Sequence, residues 1–141
     1  MVRVAPGSWC ARVLARAGNL ERITPPWLGF SLAAPEPASM AAGTLIEYRL
    51  RLHRVPVKWV SRIERWEPGR TFVDVQVEGP YRTWHHRHEF RPTGDGTLVH
   101  DHVRYALPLG PLGELAHVAF DERDLARIFN YRRAAVAELL G

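Results

Sequence analysis

A chain of 141 residues, 46% hydrophobic and 24% charged, has the size and composition of one folded domain able to bury a core, and it contains no apolar run near the roughly 20 residues of a membrane span. Its one cysteine, Cys10, excludes an internal disulfide and a cysteine-built zinc cage and is compatible with a reducing cytoplasm. The net charge of +4 rests on 18 Arg and one Lys, but these are scattered and alternate with apolar residues along strand-like segments, which argues against a nucleic-acid surface.

The stretch Met1 to Gly18 is broken by Arg12 and Arg16, so it does not read as a secretory signal. Trp9, Val13 and Ala17 share one face of a helix over Trp9 to Ala17. Asn19-Leu20-Glu21-Arg22 adds a second short turn, and Thr24-Pro25-Pro26 ends it, because proline disfavours helix in the residue before it. Ala33 to Ala42, rich in Pro and Ala, reads as loop. After Gly43 the hydrophobic period becomes two. Thr44, Ile46, Tyr48, Leu50 and Leu52 form the inner face of a first strand, and Arg54-Val55-Pro56 turns the chain. A second strand runs from Val57 to Glu67, with Trp59 and Ile63 on one face and Lys58, Arg62 and Glu64 on the other. Pro68-Gly69 is a turn. Thr71 to Glu78 is a third strand, in which Val73, Val75 and Val77 compete with Phe72, Asp74 and Gln76 for the inside. Tyr81 to Arg91 and Thr97 to Leu107 are a fourth and fifth, joined by the hairpin loop Thr93-Gly94-Asp95-Gly96. Beyond the breaks at Pro108, Gly110, Pro111 and Gly113, a long helix carries Asp121, Glu122 and Asp124 near its start, where they complement the helix dipole. Leu125, Ile128, Phe129, Arg132 and Val136 follow helical spacing. Consecutive hairpin-linked strands flanked by helices give an α+β class with an antiparallel sheet, one face of which the last helix must cover.

The histidines concentrate in the fourth and fifth strands. Strand alternation puts His86 and His88 on the same inner face as Trp84 and Phe90, joined by Asp101 from the fifth strand. His100 and His102 fall outside. Two inward His and one Asp have the composition of a facial metal site, but the sequence shows no helix-borne His-x-x-x-His or cysteine-containing ligand set, and the three residues fit better a satisfied buried hydrogen-bond group or a set of polar groups that orients a ligand among aromatic rings. The expectation is a pocket wall with no metal and no cofactor. Ser8, Ser31, Ser39 and Ser61 lack a nucleophile signature, and Gly94-Asp95-Gly96 lacks the strand-to-helix context of a phosphate loop.

Several segments carry a family resemblance: Asn19 to Leu28, Gly43-Thr44-Leu45-Ile46-Glu47-Tyr48, Pro56-Val57-Lys58-Trp59, Phe72 to Gln76, and Gly79-Pro80-Tyr81-Arg82 leading into Trp84, His86, His88 and Phe90. Asp101, Val103, Tyr105, Pro108-Leu109-Gly110 and Ile128-Phe129 with Tyr131-Arg132 continue it. Together they resemble the bacterial SRPBCC ligand-binding proteins of the START and Bet v 1-like superfamily, related to polyketide cyclases and dehydrases. The resemblance covers nearly the whole chain after residue 18. It implies a helix-grip fold, a curved antiparallel sheet wrapped around a long C-terminal helix, in a single domain over residues 1–141. It also implies a cavity for a small hydrophobic molecule, with no nucleic acid and no membrane span.

The ligand-binding set expected from this reading is Tyr48, Trp59, Gln76, Trp84, His86, His88, Phe90, Asp101, Tyr105, Phe129 and Arg132. Gln76 rests on the family pattern alone. The alternative is a cyclase or dehydratase that uses an inward His/Asp pair as acid and base. The chain departs from the family at its start, where Val2-Arg3-Val4 is either a remnant first strand or the strand is missing. An edge left unpaired there would favour a homodimer.

Overall fold

The computed structural model describes residues 2–4, 17–33, 40–52, 55–94, 96–107 and 122–140. The helix expected over residues 9–16 and the Pro/Gly break at 108–113 lie outside these residues. A 3-10 turn at Ala17–Asn19 leads into α1 (Leu20–Ile23), which ends at Thr24 with extended backbone ahead of Pro25. Thr24 also donates its hydroxyl to the Leu20 carbonyl.

Seven strands follow the order β1-β7-β6-β5-β4-β3-β2, and every neighbouring pair is antiparallel. They are β1 (Val2–Val4), β2 (Ser31–Leu32), β3 (Leu45–Leu52), β4 (Val55–Glu67), β5 (Thr71–Glu78), β6 (Thr83–Thr93) and β7 (Gly96–Ala106). The first strand is therefore present but short, and it covers β7 only at Thr97, Leu98 and Val99. One expectation is corrected, and one strand is added that the sequence pattern does not mark. Val55 and Pro56 belong to β4 and not to a turn, because Pro56 sits opposite Arg51 on the solvent side of the hairpin end, where its missing N–H costs little. Ser31–Leu32, too short to show a period, pairs with Arg49 and Tyr48.

Two irregularities curve the sheet. Between β4 and β5 the pairing runs Val60 with Glu78, then Ser61 with Gln76, which leaves Val77 without an opposite residue; Val77 is exposed. Further along, Ile63 faces Asp74 and Arg65 faces Val73, which leaves Glu64 over. Such extra residues bend a strand and increase its twist. They also exchange parity, so Trp59, Ser61 and Ile63 face inward before the second irregularity and Trp66 faces inward after it. The same register resolves the ambiguity in β5: Phe72, Asp74 and Gln76 stand opposite the inner residues Trp66, Ile63 and Ser61.

α2 (Glu122–Leu140) lies across the inner face. Near its C-terminal end Val136, Ala135 and Leu139 pack with Ile46, Ile63, Phe72, Phe90 and Val99. Near its start Leu125 and Ile128 pack with Leu50, Trp59, Tyr81 and Trp84. The spacing of 3 to 4 residues that marked the helix in the sequence is the stripe that meets the sheet. Fold and class are those expected: a curved antiparallel sheet gripping a C-terminal helix. Among the described residues no helix is long and apolar enough to cross a membrane.

Candidate functional site

Between sheet and helix lies a cavity of about 150 Å³ whose wall is mostly apolar. One end is aromatic. Tyr48 stacks on Trp59 at a centroid distance of 5.9 Å, Phe30 leans on Tyr48 at 4.8 Å, and Trp84 meets Trp59 edge-on at 5.3 Å. The polar tips of this group are satisfied locally. Trp59 Nε1 donates to Ser61 Oγ at 3.0 Å, and Ser61 Oγ lies 3.3 Å from the Tyr48 hydroxyl. Burial, together with the charge of Asp74, pushes the Tyr48 pKa up, so the hydroxyl stays protonated and remains a donor.

The other end is built by three adjacent strands. Asp74 of β5 stands opposite His86 of β6, and His88 of β6 stands opposite Asp101 of β7. Each imidazole also reaches diagonally. His88 Nε2 is 2.7 Å from Asp74 Oδ2, and His86 Nε2 is 2.9 Å from Asp101 Oδ1. His88 Nδ1 lies 3.1 Å from the same Asp101 oxygen. From α2, Arg132 Nε approaches Asp101 Oδ2 at 3.3 Å, an ion pair without the alignment of a hydrogen bond. The two rings lie 3.7 Å apart, His88 stacks on Phe72 at 3.9 Å, and Phe129 meets His86 edge-on.

Charge is apportioned by contact. Burial alone would lower the pKa of both imidazoles. For His88 the hydrogen bonds to Asp101 and Asp74 overcome burial and raise it. For His86, burial and the neighbouring His88 charge prevail and lower it. Burial likewise disfavours both carboxylates. Arg132 and the histidine hydrogen bonds outweigh it at Asp101, whose pKa falls well below the carboxylate range. At Asp74 the hydrogen bond from His88, with the charges of the two histidines and Arg132, outweighs burial and lowers the pKa. The cluster thus sets two carboxylates against one guanidinium and two imidazoles, with protonation favoured at His88 and disfavoured at His86, and Arg132 Nη2 lies 3.4 Å from His88 Nδ1. That balance is what makes a group so deeply buried tolerable.

Residues 12–130 match the family described as polyketide cyclase/dehydrase and lipid transport. The chain belongs to that family. No curated protein sequence matches it. Among solved structures it is similar to protein CV1439 from Chromobacterium violaceum, with a TM-score of 0.75 at 12% identity over 99% of this chain and 93% of that one. It is also similar to the Zhui aromatase/cyclase from Streptomyces sp. R1128, with a TM-score of 0.74 at 19% identity over 98% and 86%. The ginseng major latex-like protein 151 from Panax ginseng gives 0.68 at 11% over 99% and 93%. At these identities the likeness is one of fold.

Within this polyketide cyclase/dehydrase fold the residues singled out by sequence are distributed as follows. Tyr48, Trp59, Trp84, His86, His88, Phe129 and Arg132 line the cavity. Asp101 and Tyr105 line a second one, of about 380 Å³, on the β7 side of α2, which shares Leu125, Phe129 and Arg132 with the first. Phe90 lies in the packed core against Phe72 and lines neither. Gln76 also lines neither cavity. Its amide donates to the Tyr81 carbonyl at 2.7 Å and accepts from the Tyr81 N–H at 3.1 Å, clamping the β5–β6 turn. Gly79 makes room for that clamp, since a Cβ there would come within 2.6 Å of Gln76 Oε1. His100 and His102 point outward, with His100 Nδ1 3.6 Å from Glu89. Sequence reasoning missed Asp74 and Ser61. The signal for Asp74 was its shared parity with Phe72, which becomes decisive only when the register with His86 and His88 is known.

Proposed function

We propose that the protein binds a small hydrophobic molecule in the cavity between sheet and α2, with the His86–His88–Asp74–Asp101–Arg132 cluster orienting its polar end. The carrying observation is the composition of the wall: mostly aromatic and aliphatic, with Thr24 and Ser61 and, at one end, the ionisable side chains Asp74, His86, His88 and Arg132, backed by Asp101. Small-molecule sites have that form, with few polar groups in an apolar concavity. At about 150 Å³ the cavity is below the roughly 300 Å³ at which drug-sized sites begin, so the ligand is compact or α2 shifts to admit a larger one. Leu125, Phe129 and Arg132 line both cavities. Membership in a family described by lipid transport as well as cyclisation supports a hydrophobic ligand. The same reading keeps the protein in the cytoplasm as a carrier or binding module.

A second reading has one specific observation behind it. His86 and His88 are adjacent imidazoles whose pKa values are pushed in opposite directions, His86 down toward the role of a base and His88 up toward that of an acid. An acid and a base side by side in an apolar cavity would serve a cyclase or dehydratase.

Thermal-shift screening with fatty acids, isoprenoids and aromatic polyketides tests both readings. A ligand present at 100 times its Kd stabilises the fold by about 2.7 kcal/mol, and it perturbs the fluorescence of Trp59 and Trp84. Recovery of the bound molecule unchanged assigns carriage, and recovery of a dehydrated or cyclised product assigns acid–base chemistry. No stabilisation by any apolar class sinks the ligand reading.

A further inference from the structure

The two imidazoles at the polar end are each used on both sides. Toward β7, His86 Nε2 and His88 Nδ1 converge on a single oxygen, Asp101 Oδ1, at 2.9 and 3.1 Å. Toward β5, His88 Nε2 and His86 Nδ1 converge on a different single oxygen, Asp74 Oδ2, at 2.7 and 3.8 Å. One carboxylate therefore fixes the rings, while the other completes a set of two nitrogen donors and one oxygen donor, all within 4.8 Å of one another. We infer that Asp74, His86 and His88 are the ligands of a divalent transition-metal ion of the zinc or iron(II) kind, with Asp101 and Arg132 as the groups that orient them.

Four observations support the assignment. Two imidazoles and one carboxylate on one side of an ion are a sufficient protein ligand set, and they leave positions open for water or substrate. A metal-bound histidine donates its second ring N–H to a carboxylate; His86 Nε2 is hydrogen-bonded to Asp101 Oδ1, and His88 Nδ1 lies 3.1 Å from the same oxygen and 3.4 Å from Nη2 of Arg132, whose Nε approaches Asp101 Oδ2 from α2. Asp74, His86 and His88 line the apolar cavity whereas Asp101 does not, so the open positions face the cavity and the orienting carboxylate lies behind the rings. The ligands stand on neighbouring, paired strands, with Asp74 directly opposite His86, which is a rigid base for a site.

The distances are close to those required. Bonds of about 2.0–2.2 Å place neighbouring donors roughly 3 Å apart or slightly more. The 2.7 Å contact opens and the 3.8 Å contact closes by less than about 1 Å each, within reach of ring and carboxylate rotation. The ion takes the place of the proton between His88 and Asp74. Sequence parity had nominated Asp101 as the third ligand of any such set; the geometry gives that role to Asp74 and makes Asp101 the support.

This inference goes beyond the ligand-binding reading and does not depend on it, so its test uses the metal alone. Chelator-stripped protein titrated with Co(II) is expected to develop a saturable visible d–d band that Zn(II) abolishes. Asp74→Asn and His86→Gln are expected to lose the band. Asp101→Asn is expected to keep it with affinity lowered about 10- to 100-fold, the effect of removing an outer-shell partner. Absence of a band in the wild-type protein overturns the proposal, as does a band unaffected by Asp74→Asn and His86→Gln. Should those variants fail to fold, ¹⁵N histidine-ring spectra of the wild-type protein decide. Zn(II) must move His86 Nδ1 and His88 Nε2, and movement confined to other rings refutes the site. None of these readouts responds to an apolar ligand, so failure here leaves the carrier reading untouched.

Discussion

The β6–β7 hairpin presents the same residue types on two faces with opposite consequences. Outside, Glu89 lies within 3.2 Å of both Arg87 and Arg91 and 3.6 Å from His100, and all four side chains keep contact with water. Inside, His86, His88 and Asp101 occupy the alternate positions of the same two strands, and each makes its contacts with partners that are themselves buried or half-buried. Residue type does not separate the faces. Solvent does: on the outer face water completes whatever the ion pairs leave undone, whereas on the inner face every charge must be matched by another side chain. The inner group is therefore a closed set in which removal of one member exposes the rest, and the outer group is an open one.

The largest expected effect follows from that closure. Asp101→Ala removes at once the acceptor for His86, the second acceptor for His88 and the counter-ion of Arg132, and leaves the guanidinium in a half-buried position. Breaking a buried pair by deleting one partner costs about 3–5 kcal/mol, and urea unfolding of the metal-free protein should show a loss of that size. A loss below about 1 kcal/mol would place the inner cluster in the same class as the outer one and dissolve the contrast.

A second effect, smaller and dependent on pH, separates the two inner histidines. Relative to the ordinary value of 6.5, His88 holds its proton more tightly in the folded protein and His86 less tightly. The contribution of His88 is complete below 6.5 and is lost as pH rises through its folded pKa. That of His86 is complete above 6.5 and is lost as pH falls toward its folded pKa, because the unfolded chain takes up the proton first. The two limbs meet, so the unfolding free energy measured in the presence of chelator should peak near pH 6.5. Below the ordinary carboxylate value of 3.8, protonation of Asp74 and Asp101 adds a further loss, since both are depressed in the fold. His88→Gln should flatten the alkaline limb and, because the His88 charge helps to lower the His86 pKa, also weaken the acid limb. An unchanged alkaline limb in that variant would show that His88 is not the residue that loses its proton there.

Legibility followed the same division between local pattern and long-range register. Period-two alternation sufficed for β3 through β7 and for the inward placement of His86, His88 and Asp101, because hairpin neighbours fix one another's faces. It did not suffice for Asp74, since β5 carries Val at one parity and Phe72 at the other, and only pairing with β6 shows which face the sheet buries. It could not reveal the parity exchange that brings Trp66 inside, which depends on one unpaired residue at Glu64. Nor could it reveal β2, whose two residues hold no period. Gln76 was placed in the pocket by family pattern, but its amide is engaged by the Tyr81 backbone, a contact across a turn that composition does not encode.

The smallest effect belongs to the outer face and is the control for the whole comparison. Glu89→Ala deletes a carboxylate as Asp101→Ala does, on the same hairpin, from a site flanked by Arg87, Arg91 and His100. Because those neighbours stay hydrated when it leaves, the cost should be about 1 kcal/mol or less. It should shrink further as salt is raised, since exposed charges are screened. The inner variant should respond far less to salt, because buried pairs are screened little. Equal costs for the two substitutions, or equal salt dependence, would mean that water reaches the inner cluster in the free protein. The apolar wall of the cavity would then not exclude solvent from His86 and His88, and the charge pattern assigned to them would lose its physical cause.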